Sequence, residues 1–192
     1  HECSSAASDV YKRQVQISTR SRKLVEKVAK AHNLPVLCTY EHQDIISNDN
    51  LHYAGELGLR PPEPIRKNAL EADLVLVVGH RFNGVPNMAY KFPSSKQMFI
   101  HVIPDPNTIG KIFRTDMGIV ADSENFLEQL SNFANDNTNN ERDEWVKLCH
   151  YRYLNNDATV TPRNANDGLD FAHFIDGLGN CLLYTSPSPR DD

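Results

Sequence analysis

The sequence is poor in cysteine, in clustered basic charge and in long apolar runs, and each shortage closes off a class of protein. Four cysteines in 192 residues, with no CxxC pair among them, give no disulfide framework and no cysteine-rich zinc site. They fit a reducing, cytoplasmic setting. No stretch approaches the roughly 18 consecutive apolar residues that a membrane-spanning helix needs. The formal net charge is −5, and a mildly acidic chain without a basic stripe lacks the footprint of a nucleic-acid binder.

The two ends differ from what lies between them. The chain opens HECSSAASDVYKRQ and closes CLLYTSPSPRDD. A targeting peptide would need a basic start and an apolar stretch of about 7–15 residues, and the opening has none. Written as codons, SSAASDVYKRQ can end in AGATGTGTATAAGAGACA, the reverse complement of TGTCTCTTATACACATCT, which can begin CLLYTS. Two protein termini have no physical reason to be encoded by an inverted repeat. Residues 1–14 and 181–192 are therefore expected to be translated sequencing adapter, without a defined place in the fold. Cys3 and Cys181 fall in these ends, leaving Cys38 and Cys149.

Between the ends, apolar strands alternate with amphipathic helices. Ser18–Leu34 carries Leu24, Val25, Val28 and Ala31 at helical spacing, and Pro35–Tyr40 is a short apolar strand. Glu63–Ala72 reads as a helix entered through Pro61 and Pro62. Asp73–Gly79 (DLVLVVG) is the clearest strand, Gln97–Pro104 a second, and Gly118–Ala121 a short third. Ser123–Ala134 then places Phe126, Leu127, Leu130, Phe133 and Ala134 on one helical face, with Asp122 or Ser123 as its cap. This alternation predicts an α/β, Rossmann-like parallel sheet with helices on both faces. An asparagine-rich connection follows at 135–144. Glu141–Asn155 reads as a helix with Trp145, Leu148 and Tyr151 or Arg152 along one side, 156–168 as a linker, and Leu169–Gly179 as the start of another helix.

Five ordered motifs within this frame resemble one family. PVLCT (Pro35–Thr39), GELGL (Gly55–Leu59), EADLVLVVGHRF (Glu71–Phe82), FIHVIPDPNTIGK (Phe99–Lys111) and Asp122–Leu130 match the motif order of the central domain of thiamine-diphosphate-dependent enzymes, in the acetolactate synthase-like branch. In that resemblance Gly55–Leu59 is a glycine turn. Residues 15–136 are the central domain, with a first strand and its glycine-rich loop missing before Val15. Residues 137–180 are the interdomain linker and the start of the next domain. The intact parent would be a transferase or lyase using thiamine diphosphate and Mg²⁺ on 2-oxo acids, and a homo-oligomer. Its thiamine-binding domains, including the metal–diphosphate motif, lie outside this chain, which alone would be inactive. IDGLGN (Ile175–Asn180) lacks the leading glycine and the spacing of that motif.

Four residues make a candidate nucleotide cleft at the carboxyl ends of the strands: Gly79, Arg81, Asp105 and Asp122. Parallel sheets gather ligands there because loops and helix N-termini converge. Each also has a plainer role. Gly79 turns the chain, Arg81 makes a structural ion pair, and Asp122 caps a helix. Flavin-binding relatives carry an aspartate and an arginine where Asn83 and Val85 stand, and an acidic residue in place of Ile103, which speaks against FAD. His101 reads as a satisfied core histidine, His150 and His173 as surface residues, and Cys38 as a small hydrophobe. A free-standing FAD- or NAD-binding module is the alternative function.

Overall fold

The computed structural model describes residues 18–133, 140–156, 168 and 170–182. Helix α1 (Thr19–His32) begins where the Ser18 hydroxyl accepts the Ser21 N–H at 3.0 Å. It stops at Asn33, which takes the left-handed conformation (φ 52°), while the Leu34 N–H returns to Ala29 O at 2.9 Å. Both ends thus satisfy backbone groups that a helix terminus leaves orphaned. Strand β1 (Val36–Thr39) pairs in parallel with β2 (Tyr53–Leu57). Helix α2 (Glu63–Leu70) is entered through Pro62 and Pro64, where a missing N–H costs nothing. Strands β3 (Leu74–Val78), β4 (Met98–Ile103) and β5 (Met117–Val120) form a second parallel sheet in the order β3-β4-β5. Helix α3 (Ser123–Asn132) follows, then α4 (Asn140–Leu154) and α5 (Phe171–Leu182).

The α/β class and the parallel pairing agree with the expectation, and four details refine it. The strands form two sheets instead of one, because β1 and β3 exchange no backbone hydrogen bonds. Gly55, expected in a turn, lies inside β2. There a Cβ would stand 2.5 Å from Ile65 Cδ1, so the glycine lets α2 approach the strand. Between β3 and β4, where no element was expected, the chain forms an irregular loop organised by Asn87. That fully buried side chain donates to Phe82 O at 3.1 Å and accepts the Tyr90 N–H at 2.9 Å. Finally, α4 buries Val146 and Cys149, while Leu148 and Tyr151 face solvent.

The buried side of α4 meets two other elements. The Asn68 side chain of α2 donates to Ala54 O and to Cys149 O, both at 3.0 Å. His150, expected at the surface, meets Tyr53 O at 2.8 Å, and Tyr153 stands edge-on to Tyr53 at 4.6 Å. These contacts seat α4 on β2 and α2, within the first compact unit, which runs to Asn156. In the second unit α5 runs to Leu182, two residues past the expected adapter boundary, with Phe171, Phe174 and His173 exposed. Residues 1–14 and 183–192 lie outside the described residues.

Three apolar clusters hold the first unit together. Leu57, Ala69, Val77, Phe82, Phe92 and Phe99 form one. Leu24, Val28 and Leu127 join α1 to α3 in another, and Cys38, Ile46 and Tyr53 make a third. Phe133, expected on the buried face of α3, lies just past its last turn and is exposed.

Candidate functional site

The four expected residues all stand at the carboxyl edge of the second sheet: Gly79 and Arg81 after β3, Asp105 after β4, Asp122 after β5. Gly79 has a left-handed φ of 73°, and its N–H donates to Val102 O at 2.8 Å. A Cβ here would lie 2.5 Å from Ser123 Oγ, so the glycine allows the N-terminus of α3 to close on the strand end. Asp122 is the N-cap of α3, its carboxylate accepting the Asn125 N–H at 3.1 Å. The capping role anticipated for Asp122 is therefore the one its side chain performs.

Asp105 opens the short 3-10 turn Pro106–Thr108. It accepts from Thr108 Oγ1 at 2.9 Å and from the Asn107 N–H at 3.0 Å. The Thr108 hydroxyl first, then the Asn107 amide, hold its carboxyl below the usual carboxylate range, and the nearby Arg81 charge adds to this. Gly79 and Asp122 thus meet at α3, and Arg81 and Asp105 feel each other's charge.

Beside Arg81 lies a recess of about 10 Å³, bordered also by Phe82, Phe99, His101, Thr108 and Phe113. That is room for about one water, whereas ligand pockets span roughly 300–1,000 Å³. Aromatic rings fill the surroundings: Phe82 lies 5.6 Å from Phe92, 5.9 Å from Phe99 and 6.2 Å from Phe113. The recess is a packed strand edge with no room for a flavin or a whole nucleotide, and of the four expected residues only Arg81 lines it.

Sequence spacing missed a polar chain at the same edge. His101 is buried, stacks on Phe99, and donates from Nε2 to His80 O at 2.9 Å, as a core histidine should. His80 Nδ1 accepts the Phe82 N–H at 2.8 Å, so its proton sits on Nε2, which faces Glu41 at 3.7 Å. Burial lowers the His80 pKa, Glu41 opposes that shift, and His42 and His101 reinforce it. Glu41 follows β1 and is 39 positions away in the chain, so no local motif announces the pair.

The cysteines are chemically quiet. Burial pushes the Cys38 and Cys149 thiols up to about 12, so neither is a nucleophile at neutral pH. No cluster of three His, Cys, Asp or Glu side chains that could hold a metal ion occurs among the described residues. A Mg²⁺–diphosphate group needs convergent oxygen ligands, and the described residues do not supply such a set. IDGLGN lies within α5. Among the described residues no helix is long and apolar enough to cross a membrane.

Residues 13–130 match the family model for the central domain of thiamine pyrophosphate enzymes. Pyruvate oxidase of Lactiplantibacillus plantarum is 26% identical over 112 residues, covering 58% of this chain and 18% of that protein. A probable acetolactate synthase large subunit of Methanocaldococcus jannaschii is 28% identical over 116 residues, 60% of this chain and 20% of its own length. The acetolactate synthase isozyme 3 large subunit of Escherichia coli is 25% identical over 143 residues, 71% of this chain and 25% of its own. The chain thus spans a quarter or less of the length of these three relatives.

Proposed function

Because the chain belongs to the thiamine pyrophosphate enzyme family, through its central domain, we propose that it is the scaffold domain of a longer enzyme. That parent uses thiamine diphosphate and Mg²⁺ to cleave or form carbon–carbon bonds of 2-oxo acids, in the manner of an acetolactate synthase, in the cytoplasm and as a homo-oligomer. The match over residues 13–130 carries this reading. The side chains at the strand edge support a scaffold role, since Asp122 caps α3, Asp105 builds a turn and His101 serves the core.

The domain's task is then to hold the thiamine-binding domains of the same chain at a fixed spacing. The edge formed by Gly79, Arg81, Asp105 and Asp122 is the place where a nucleotide moiety of the parent would lie. Nothing in the family match favours the free-standing FAD or NAD module.

Two measurements test the proposal. Titration calorimetry of this chain with thiamine diphosphate and Mg²⁺ is expected to give no heat of binding. A longer native chain, extended both upstream of Val15 and downstream of Asn180, is expected to consume a 2-oxo acid with thiamine diphosphate present. Micromolar binding by the short chain, or a longer chain without turnover on any 2-oxo acid, would overturn it. Purifying the longer chain also tests the flavin. A colourless, active protein is expected, and a stoichiometric yellow cofactor lost on Arg81→Ala would reverse that expectation.

A further inference from the structure

Beyond β3 the chain passes Arg81 and Phe82 to reach Asn83–Gly84, the single Asn-Gly pair in the sequence. The loop is anchored on either side of this pair. The Asn87 amide donates to Phe82 O at 3.1 Å, and Pro86 and Asn87 are fully buried. Asn83 and Gly84 form the exposed stretch between these anchors. Among the described residues, neither the Asn83 side chain nor the Gly84 N–H has a hydrogen-bond partner. Gly84 takes a left-handed φ of 67°, and an added Cβ would meet no atom within 4 Å.

Together these features expose an asparagine to its own backbone. The nitrogen of the following residue can reach the side-chain carbonyl carbon and close a five-membered ring. A side chain on that residue, a hydrogen bond on either partner, or regular secondary structure each hinders the closure. None of the three protects Asn83. Glycine has no side chain and the widest choice of backbone angles, the polar groups are unheld, and the pair lies in an irregular loop. Other described asparagines show the contrast. Asn68 and Asn87 are buried with their amides engaged, and alanine and methionine follow them. Asn48 is exposed, yet the next nitrogen, that of Asp49, donates to Ser47 Oγ at 3.4 Å.

We propose that Asn83 is a self-modification site, converted by Gly84 to aspartate and isoaspartate through a cyclic imide. The Gly84 amide loses its proton to solvent base, and its nitrogen bonds to Asn83 Cγ. The Cγ–Nδ2 bond breaks, and Nδ2 takes up a proton and leaves as ammonia. A water molecule then opens the ring. Attack at Cγ restores the normal backbone with an aspartate at position 83. Attack at the main-chain carbonyl gives isoaspartate, with the backbone rerouted through Cβ and Cγ. One water is consumed, one ammonia is released, and no oxidation state changes. The product carries a negative charge two residues from Arg81, so the strand edge loses positive potential as the chain ages.

The test is peptide mapping by mass spectrometry of the folded 192-residue chain kept at pH 8.5. Asn83 is expected to deamidate before any other described asparagine, yielding both aspartate and isoaspartate. Asn48 reacting first, or aspartate as the sole product, would overturn the proposal. Because the exposed pair needs no local opening, its rate in the folded chain should lie within roughly threefold of its rate in urea. A larger suppression by folding would also overturn it. Gly84→Ala is best read in urea, where strain at a φ of 67° plays no part. The added methyl group should slow the reaction roughly tenfold there, and an unchanged rate would exclude ring closure by the position-84 nitrogen.

Discussion

Gly79 and Ser123 touch so closely that a single added carbon on the glycine would lie 2.5 Å from the serine hydroxyl. The same glycine sits at a φ of 73°, which a side chain makes unfavourable by about 1–2 kcal/mol. Gly79→Ala should therefore lower the unfolding free energy by roughly 1–3 kcal/mol, read by urea denaturation. Adding Ser123→Ala removes the contact but not the backbone strain, so the double variant should recover part of the loss. Full recovery, or none, would show that one of the two causes has been misjudged.

Asn68 joins three elements with one buried amide. Replacing it with alanine removes the side-chain donor shared by Ala54 O and Cys149 O, at a cost of roughly 1–3 kcal/mol. Asn68→Ala should speed amide exchange along α4 more than along α1. Equal effects on both helices would mean that the amide supports the whole unit without preference for α4.

His80 makes stability depend on pH in a stated direction. Its folded pKa lies below its ordinary value of 6.5, chiefly through burial. The unfolded chain then binds more protons below that pH, so stability is fully present above about 6.5 and declines as pH falls toward the folded pKa. Burial lowers His52 as well, though the Leu34 carbonyl opposes it, and this adds a second contribution of the same sign. His80→Asn keeps an acceptor for the Phe82 N–H and cannot titrate. Its urea midpoint should fall less between pH 7.5 and 5.5 than that of the parent chain, and an unchanged slope would remove His80 from the account.

Thiol labelling should separate the cysteines. Cys38 and Cys149 are buried with thiols near 12, while Cys181 is exposed at the end of α5. In a native sample at pH 7.5, mass spectrometry should find iodoacetamide on Cys181 well before Cys38 and Cys149, which are modified only after denaturant is added. Early labelling of Cys149 would show that α4 opens readily from β2.

Much of the fold is legible in the sequence, because parallel strands buried on both faces write themselves as apolar runs. Leu74–Val78 and Met98–Ile103 are such runs. Strand β2 was hidden because Gly55 carries two meanings, a turn or a close approach, and only the Ile65 side chain above it decides between them. The buried side of α4 was hidden for another reason. Trp145, Val146, Leu148, Cys149, Tyr151 and Leu154 put apolar groups all round the helix, so periodicity could not choose Val146 and Cys149. At the strand edge, the order of Gly79, Arg81, Asp105 and Asp122 was readable from the chain. The Glu41–His80 pair was not, since it depends on where β1 ends relative to β3.

The seating of α4 has a mechanical consequence. Arg152, near the helix's last turn, donates to Glu71 at 2.7 Å and reaches Asn68 at 3.3 Å, while its guanidinium lies over the Trp145 ring at 5.9 Å. The chain leaves the unit four residues later. A pull on the polypeptide beyond Asn156 is therefore shared between two anchors, Tyr153 against Tyr53 of β2 and Arg152 on Glu71 and Asn68 of α2, so no single element takes the whole load.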